Sequence, residues 1–477
     1  MNKTLVIVQQ RVNLEEPHNC TDSKDVLTIL SALFDALVQY DDHLGYAPAL
    51  AESWTLSDDA LTWTFRLRED VYFHNGDACD AEAVKYSLER MARPDMGVTL
   101  GAPGVYHQYL NGMQVEVLDQ HTVCLTTATP VADLLDVLVT GYILPPGPVE
   151  QLGADFRLTP VGTGPYEFVS SQPGEEVCLK RNDRSFSTLP KYERVIWRAV
   201  PDPTERVRMV QAGHAHIAAT LPPAAVSESS GLQILRSQGT TAFIIIFSAN
   251  KGPLKNPLVR RALNLGIDRQ VIIDQILGGA GYPLTGFVSP HHFGYDPDQP
   301  PLTFDPEQAK TLLKQAGYEH GLTLTLDSPT ALPNEAVPLS KIVTEQWRQI
   351  GVEVKVVYTE DREAYANKVR LKDIHDMCIF DSSPLSTYRV LKEKIDARFE
   401  GSWWEGYHNA EVEQLLDTAE TTIDEASREA IYQKCFQILN EDPPWLYLYN
   451  YETFTGVSAD LARWQLPAHG VIDPKVI

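Results

Sequence analysis

FDPEQAKTLLKQAGYEHGLTLTLDSPTALPNEAVPLSKIVTEQWRQIGVEVKVVY, residues 304–358, sets helical and strand patterns side by side. In FDPEQAKTLLKQAGY (304–318), Asp305 is placed as an N-cap and Pro306 takes the first helical position. Gln308 completes a capping box and Gly317 ends the helix. Ala309, Leu312, Leu313 and Ala316 recur at helical spacing and form the stripe to be buried. LTLTLD (322–327) and VEVKVVY (352–358) read as strands flanking a second helix near 335–350, a βαβ pattern.

The same alternation runs through the chain. LTWTFRL (61–67) puts Leu61, Trp63, Phe65 and Leu67 on one face and Thr62, Thr64 and Arg66 on the other, a half-buried strand. A turn at HNGD (74–77) follows, then Asp80 caps a helix over AEAVKYSLERM. MQVEVLD (113–119) and HTVCLTT (121–127) predict a hairpin, and 409–420 and 425–439 predict consecutive helices. Turn formers in SANKGPLKNP (248–257) and the region around Tyr449–Tyr451 are the hinge candidates.

At 477 residues the chain is too long for one core and should divide into two or three domains. Its 40 basic and 64 acidic residues leave a net charge of −24, which argues against nucleic acid or an anionic membrane surface as partner. No stretch approaches the roughly 18 apolar residues of a membrane span; the longest burst, AFIIIF (242–247), is of strand length. The six cysteines are scattered without a Cys-x-x-Cys pair, so neither a structural zinc site nor a thioredoxin-type motif is expected. Gly-x-Ser-x-Gly and His-Glu-x-x-His are both missing, and PVGTGPY (160–166) lacks the Lys-Ser/Thr of a phosphate loop. Nothing assembles a nucleophile with a base.

Four segments carry a resemblance. APALAESWTLSDDALTWTFRLREDVYFHNGDACDAEAVKYSLERM (47–91), PVGTGPYEF (160–168) with VPDPTERVRMVQAGHAHIA downstream, NPLVRRALNLGIDRQVIIDQILGGAG (256–281) and FDPEQAKTLLKQAGY resemble, in order and spacing, the extracytoplasmic solute-binding proteins of the peptide/nickel ABC-importer family. The resemblance implies an α/β fold, a bilobal periplasmic-binding-protein clamshell with an extra domain inserted in the first lobe. It divides the chain into a first lobe (1–43, 161–243, 450–477), an inserted domain (44–160) and a second lobe (244–449). It also implies a monomer outside the cytoplasm, its signal peptide missing from this sequence, without cofactor or nucleic acid, serving a membrane ABC permease. A small-molecule solute would lie between the lobes.

FDSSPLSTYR (380–389) is where the resemblance bears on the ligand. In peptide-binding members the corresponding stretch ends in Asp-Pro or Glu-Pro, and an aspartate four residues before that proline takes the α-amino group. Counted from Pro384 that position holds Phe380, and Asp381 lies one residue later. On a strand such an offset reverses the side chain. Nickel-chelate binders carry Asp-Pro-His there; Ser383-Pro384-Leu385 offers no imidazole. What remains is a hydroxyl wall of Ser382, Ser383, Ser386, Thr387 and Tyr388 with Asp381 and Arg389, followed by Trp403 and Trp404 in GSWWEGYHN. Hydroxyls donate and accept, Arg forks onto an anion, Asp takes an amine or sugar hydroxyl, and tryptophan faces pack on rings or cations.

The ligand residues expected are Phe380, Asp381, Ser382, Ser383, Tyr388, Arg389, Trp403, Trp404, Tyr106 and His107, with no metal ligand among them. The expected solute is an atypical peptide, an opine, a modified amino acid or a sugar conjugate. A nickel or metal-chelate receptor is the nearest alternative, and a hydrolase or sensor on the same fold the alternative of another class. Arg389 also has a purely structural reading, an ion pair with Glu393 if 387–398 is helical. His214 with His216, and His291 with His292, are weaker candidates for a metal pair and a rim contact respectively.

Overall fold

The protein is described by a computed structural model covering residues 4–41, 45–98, 103–226, 229–330, 335–399, 406–467 and 469–477. Its contacts separate two compact units. Met1–Thr99, Pro103–Gln238 and Thr453–Ile477 form the first, and Gly239–Glu452 the second. The chain passes between them inside two long strands, Gln233–Phe247 and Trp445–Val457. The turn formers of 248–257 lie within the second unit, where they shape a short 3-10 turn at Gly252–Lys255.

In the first unit, strand Thr4–Gln9 runs parallel to Arg194–Ala199 on one side and to Ile217–Leu221 on the other. Antiparallel strands Glu176–Arg181 and Tyr166–Gln172 extend the sheet beyond Arg194–Ala199. The C-terminal part of Trp445–Val457 pairs with Ile217–Leu221. Leu5, Ile7 and Trp197 from the sheet pack with Ile29 and Leu33 of helix Lys24–Leu33, all buried. A separate four-stranded antiparallel sheet holds Ala51–Leu56, Thr62–Leu67, Thr122–Thr126 and Gln114–Asp119. Trp63, Phe65 and Leu67 are its buried face, as the alternation predicts. Asp80 accepts from the Ala83 N–H and caps helix Ala81–Met91.

PVGTGPY is glycine-rich because the backbone there touches another backbone. A Cβ on Gly162 would lie 2.0 Å from the Leu33 carbonyl oxygen, and one on Gly164 would lie 2.5 Å from the Leu33 carbonyl carbon. The Gly164 N–H donates to that same Leu33 oxygen at 3.0 Å, satisfying the end of the helix.

The second unit contains the βαβ segment. Leu322–Pro329 and Val352–Thr359 are parallel and in register from Leu322↔Val352, joined through helix Ala336–Gln349. Helix Pro306–Gln315 begins where Asp305 accepts from the Gln308 N–H at 2.9 Å and buries Ala309 and Leu313. Gly317 follows it at φ +89°, a conformation that favours glycine. Met377–Ser382 joins the sheet parallel to Leu322–Pro329 and antiparallel to the second half of Gln233–Phe247, with Phe243 opposite Asp381. Helices Ala410–Thr421 and Glu425–Glu441 are consecutive, as the sequence predicts.

Candidate functional site

Strand Met377–Ser382 ends at the carboxyl edge of the parallel strands, where α/β sheets present their ligand-contacting side chains. Phe380 is 6 % exposed; its ring lies 6.5 Å from that of Tyr365, and the Arg362 guanidinium sits over it at 5.2 Å. Asp381, one residue on, points to the other face and is half-buried. Residues opposite each other on antiparallel strands share a face, so Asp381 stands beside Phe243. Phe243 in turn stacks on Tyr449 at 5.3 Å and meets Tyr451 edge-on at 4.5 Å. Ser383 donates to the Asp381 carboxylate at 2.8 Å, and among the described residues no cation lies within ion-pair distance of that carboxylate. The Tyr449 hydroxyl is fully buried without a hydrogen-bond partner among the described residues, and burial raises the Glu335 carboxyl above its ordinary pKa.

The rest of the hydroxyl stretch is drawn into the fold. Ser382 is buried, and Ser386 accepts from the Arg389 N–H at 3.0 Å, capping helix Thr387–Lys394. Thr387 donates to the Phe293 carbonyl and Tyr388 to Glu420, each at 2.8 Å. Arg389 and Glu393 pair at 3.0 Å with side chains only 5 % and 6 % exposed, the contact that helical spacing offers. His292 is buried beneath the loop: its Nε2–H donates to the Pro384 carbonyl at 3.1 Å and its Nδ1 accepts from Ser289 Oγ at 2.8 Å. Trp403 and Trp404 lie outside the described residues.

The remaining candidates fall in the first unit. Tyr106 is buried, its hydroxyl 3.0 Å from Thr140 Oγ1, and His107 Nδ1 donates to the Ala92 carbonyl at 2.7 Å. His214 is exposed, whereas His216 accepts from the Val6 N–H at 3.1 Å just before strand Ile217–Leu221 begins. These two imidazoles therefore do not share a strand face. All six cysteines are free and buried. Among the described residues no group of three His, Cys, Asp or Glu side chains could hold a metal, and no helix is long and apolar enough to cross a membrane.

One site escaped the sequence reading. In the first unit a recess of about 20 Å³ opens where strand Thr4–Gln9 ends and helix Lys24–Leu33 begins, lined by Gln9, Lys24, Thr28, Thr453 and Thr455 among others. Thr220, also in its wall, has φ +49°, uncommon for a β-branched residue, where the ladder with Trp445–Val457 slips register. Arg206, buried, holds that segment by donating to the Thr220 carbonyl at 3.1 Å. Burial lowers the Lys24 ammonium below its ordinary pKa. No sequence pattern marks this lysine, because the recess gathers residues from five separate stretches of the chain.

With this geometry in view, the family described as bacterial extracellular solute-binding proteins, family 5, middle region, matches residues 45–387. Glutathione-binding protein GsiB of Salmonella paratyphi A is 28% identical over 467 residues, spanning 94% of this chain and 90% of its own. The ABC transporter-associated periplasmic binding protein DppA from Helicobacter pylori, solved in complex with peptide STSA, superposes with a TM-score of 0.84 at 25% identity, covering 99% of this chain and 97% of that one. NikZ from Campylobacter jejuni, solved in complex with Ni(L-His), superposes with a TM-score of 0.84 at 24% identity over 99% of this chain and 98% of its own, a likeness of fold alone.

Proposed function

From the premise that this chain belongs to family 5 of the bacterial extracellular solute-binding proteins, the substrate-binding components of ABC importers, we propose that its solute is a short peptide or peptide-like molecule bearing a free amine. Proteins of this family work outside the cytoplasm with a membrane permease complex, and they bind rather than transform. The observation that carries the finer reading is Asp381: a half-buried carboxylate, oriented by Ser383 at 2.8 Å, with no protein cation in ion-pair reach among the described residues. A carboxylate so placed is stabilised by an ammonium brought by the ligand. Phe243 beside it is buried in an aromatic cluster with Tyr449 and Tyr451, and Tyr451 is the partly exposed ring that offers a cation-tolerant face. Relatives whose names state glutathione and a bound peptide support the same class.

Native mass spectrometry against the denatured mass tests this first, since a retained solute adds its own mass and fragments to its class. Titration calorimetry then compares a binding peptide with its N-acetylated form and wild type with Asp381→Asn. Each change should weaken binding at least tenfold. An N-acetyl peptide binding as tightly as the free amine would overturn the assignment of Asp381, and a retained solute lacking any amine would overturn the peptide class.

A further inference from the structure

We infer that the recess beside Lys24 receives a carboxylate of the solute, so that Lys24 is a specificity-determining residue for an anionic end. This rests on the solute-binding reading above but not on the solute being a peptide. Four independent features place an unmet positive charge there. First, Lys24 lines the recess, and among the described residues its ammonium has no hydrogen-bond or ion-pair partner. Second, it occupies the first position of a ten-residue helix whose N-cap, Ser23, makes no side-chain capping bond. A cation at that end opposes the helix dipole, whereas an anion brought to it is favoured. Third, Gly470 lies against the ammonium: a Cβ there would lie 2.5 Å from Lys24 Nζ, and a glycine brings no side chain to meet the charge.

The fourth feature is how the other polar groups are spent. Gln9 uses both amide hydrogens, donating to the Arg11 carbonyl at 2.8 Å and the Asp25 carbonyl at 2.9 Å. The Thr28 hydroxyl donates to the Ile472 carbonyl at 2.5 Å. The Asp25 carboxylate, the negative group in the wall, is met by Arg11 at 3.6 Å. Besides the hydroxyl of the exposed Thr220, the donors left facing the recess are the Lys24 ammonium and the hydroxyl of Thr455, which is 3 % exposed and makes no side-chain hydrogen bond among the described residues. A volume of about 20 Å³ accommodates one small oxyanion head and not the body of a solute. A carboxylate accepts from both donors at once and supplies the counter-charge.

The test uses the whole protein with three probes: Ala-Ala-Ala as the free acid, Ala-Ala-Ala amide, and succinate, each titrated against wild type, Lys24→Met and Lys24→Arg. The expected result is that the free acid binds wild type at least tenfold more tightly than the amide. Lys24→Met should abolish that preference and Lys24→Arg retain most of it. Lys24→Met should also melt no lower than wild type, since it removes an uncompensated charge; a structural lysine would instead lower the melting temperature. Acid and amide binding equally overturns the inference and leaves the peptide reading standing. Succinate stabilising wild type but not Lys24→Met, with neither tripeptide binding, removes the peptide reading and upholds the carboxylate site. No carboxylate distinguishing wild type from Lys24→Met overturns the inference outright.

Discussion

His292 should make the second unit acid-sensitive, and its hydrogen bonds say by how much. Nδ1 accepts from the Ser289 hydroxyl at 2.8 Å and from the Ser289 N–H at 3.3 Å, while Nε2–H donates to the Pro384 carbonyl at 3.1 Å. The ring is therefore neutral with its proton on Nε2. A second proton, on Nδ1, would face the Ser289 N–H on a ring that is 6 % exposed. Burial prevails and pulls the pKa down to about 4, against the hydrogen bonds with Pro384 and Ser289, which raise it, and with a smaller downward push from neighbouring His291. The unfolded chain titrates near 6.5, so the contribution is fully present above that pH and is lost as pH falls toward 4. Integrating between those two values gives a loss of about 2 kcal/mol at pH 5 and about 3 kcal/mol at pH 4. His292→Gln keeps a donor for Pro384 and cannot titrate. Urea unfolding of both proteins at pH 7, 5 and 4 reads the difference. Wild type should begin more stable at pH 7 and lose its advantage by about that amount. Parallel loss of stability in the two proteins would refute the buried neutral imidazole, as would an NMR titration of His292 with a midpoint near 6.5.

Other outcomes follow from the same kind of accounting. Glu393→Gln removes the carboxylate charge that Arg389 meets in a site about 5 % exposed, and should cost about 3–5 kcal/mol of stability by urea unfolding; a loss under about 1 kcal/mol would mean the pair is solvated. Gly164→Ala forces a methyl against the Leu33 backbone, which cannot yield as a flexible side chain would. Its cost should reach the top of the usual overpacking range, about 3 kcal/mol, and show as a fall in melting temperature. All six thiols are buried, with burial pushing Cys435 up to about 12. A thiol reagent should therefore label none of them in the native protein and all six after denaturation.

Much of the fold was legible because its elements carry local signals. Asp305, Pro306 and Gln308 mark a helix start through contacts three residues long, and Trp63, Phe65 and Leu67 mark a strand through period two. Of the two crossings between units, the one at Glu452–Thr453 lies beside the region around Tyr449–Tyr451 that the sequence offered as a hinge, and the one at Gln238–Gly239 was not marked. The chain crosses inside regular strands, which carry no run of turn formers, and the turn formers at 248–257 serve a local turn instead. The site was legible only in part. Asp381 was singled out because its neighbours in sequence are its neighbours in space. Arg362, Phe243 and Tyr449 reach the same edge from other segments, and Lys24 lies in a recess assembled by the sheet. Such long-range meetings leave no periodicity behind.

FDSSPLSTYR thus divides between two kinds of charge. Arg389 is buried against a carboxylate four residues away on its own helix, so the fold itself supplies its counter-charge. Among the described residues Asp381 has a hydroxyl for orientation and no cation, and Lys24 has neither hydroxyl nor carboxylate bound to it. Removing water from an ion that has no counter-ion costs stability, so a fold gains nothing by keeping one there. A binding protein does gain, because the ligand supplies the missing charge when it arrives. Stability and affinity should then move in opposite directions at these positions: Asp381→Asn and Lys24→Met should hold or raise the melting temperature while lowering affinity, and Glu393→Gln should lower the melting temperature through the fold itself.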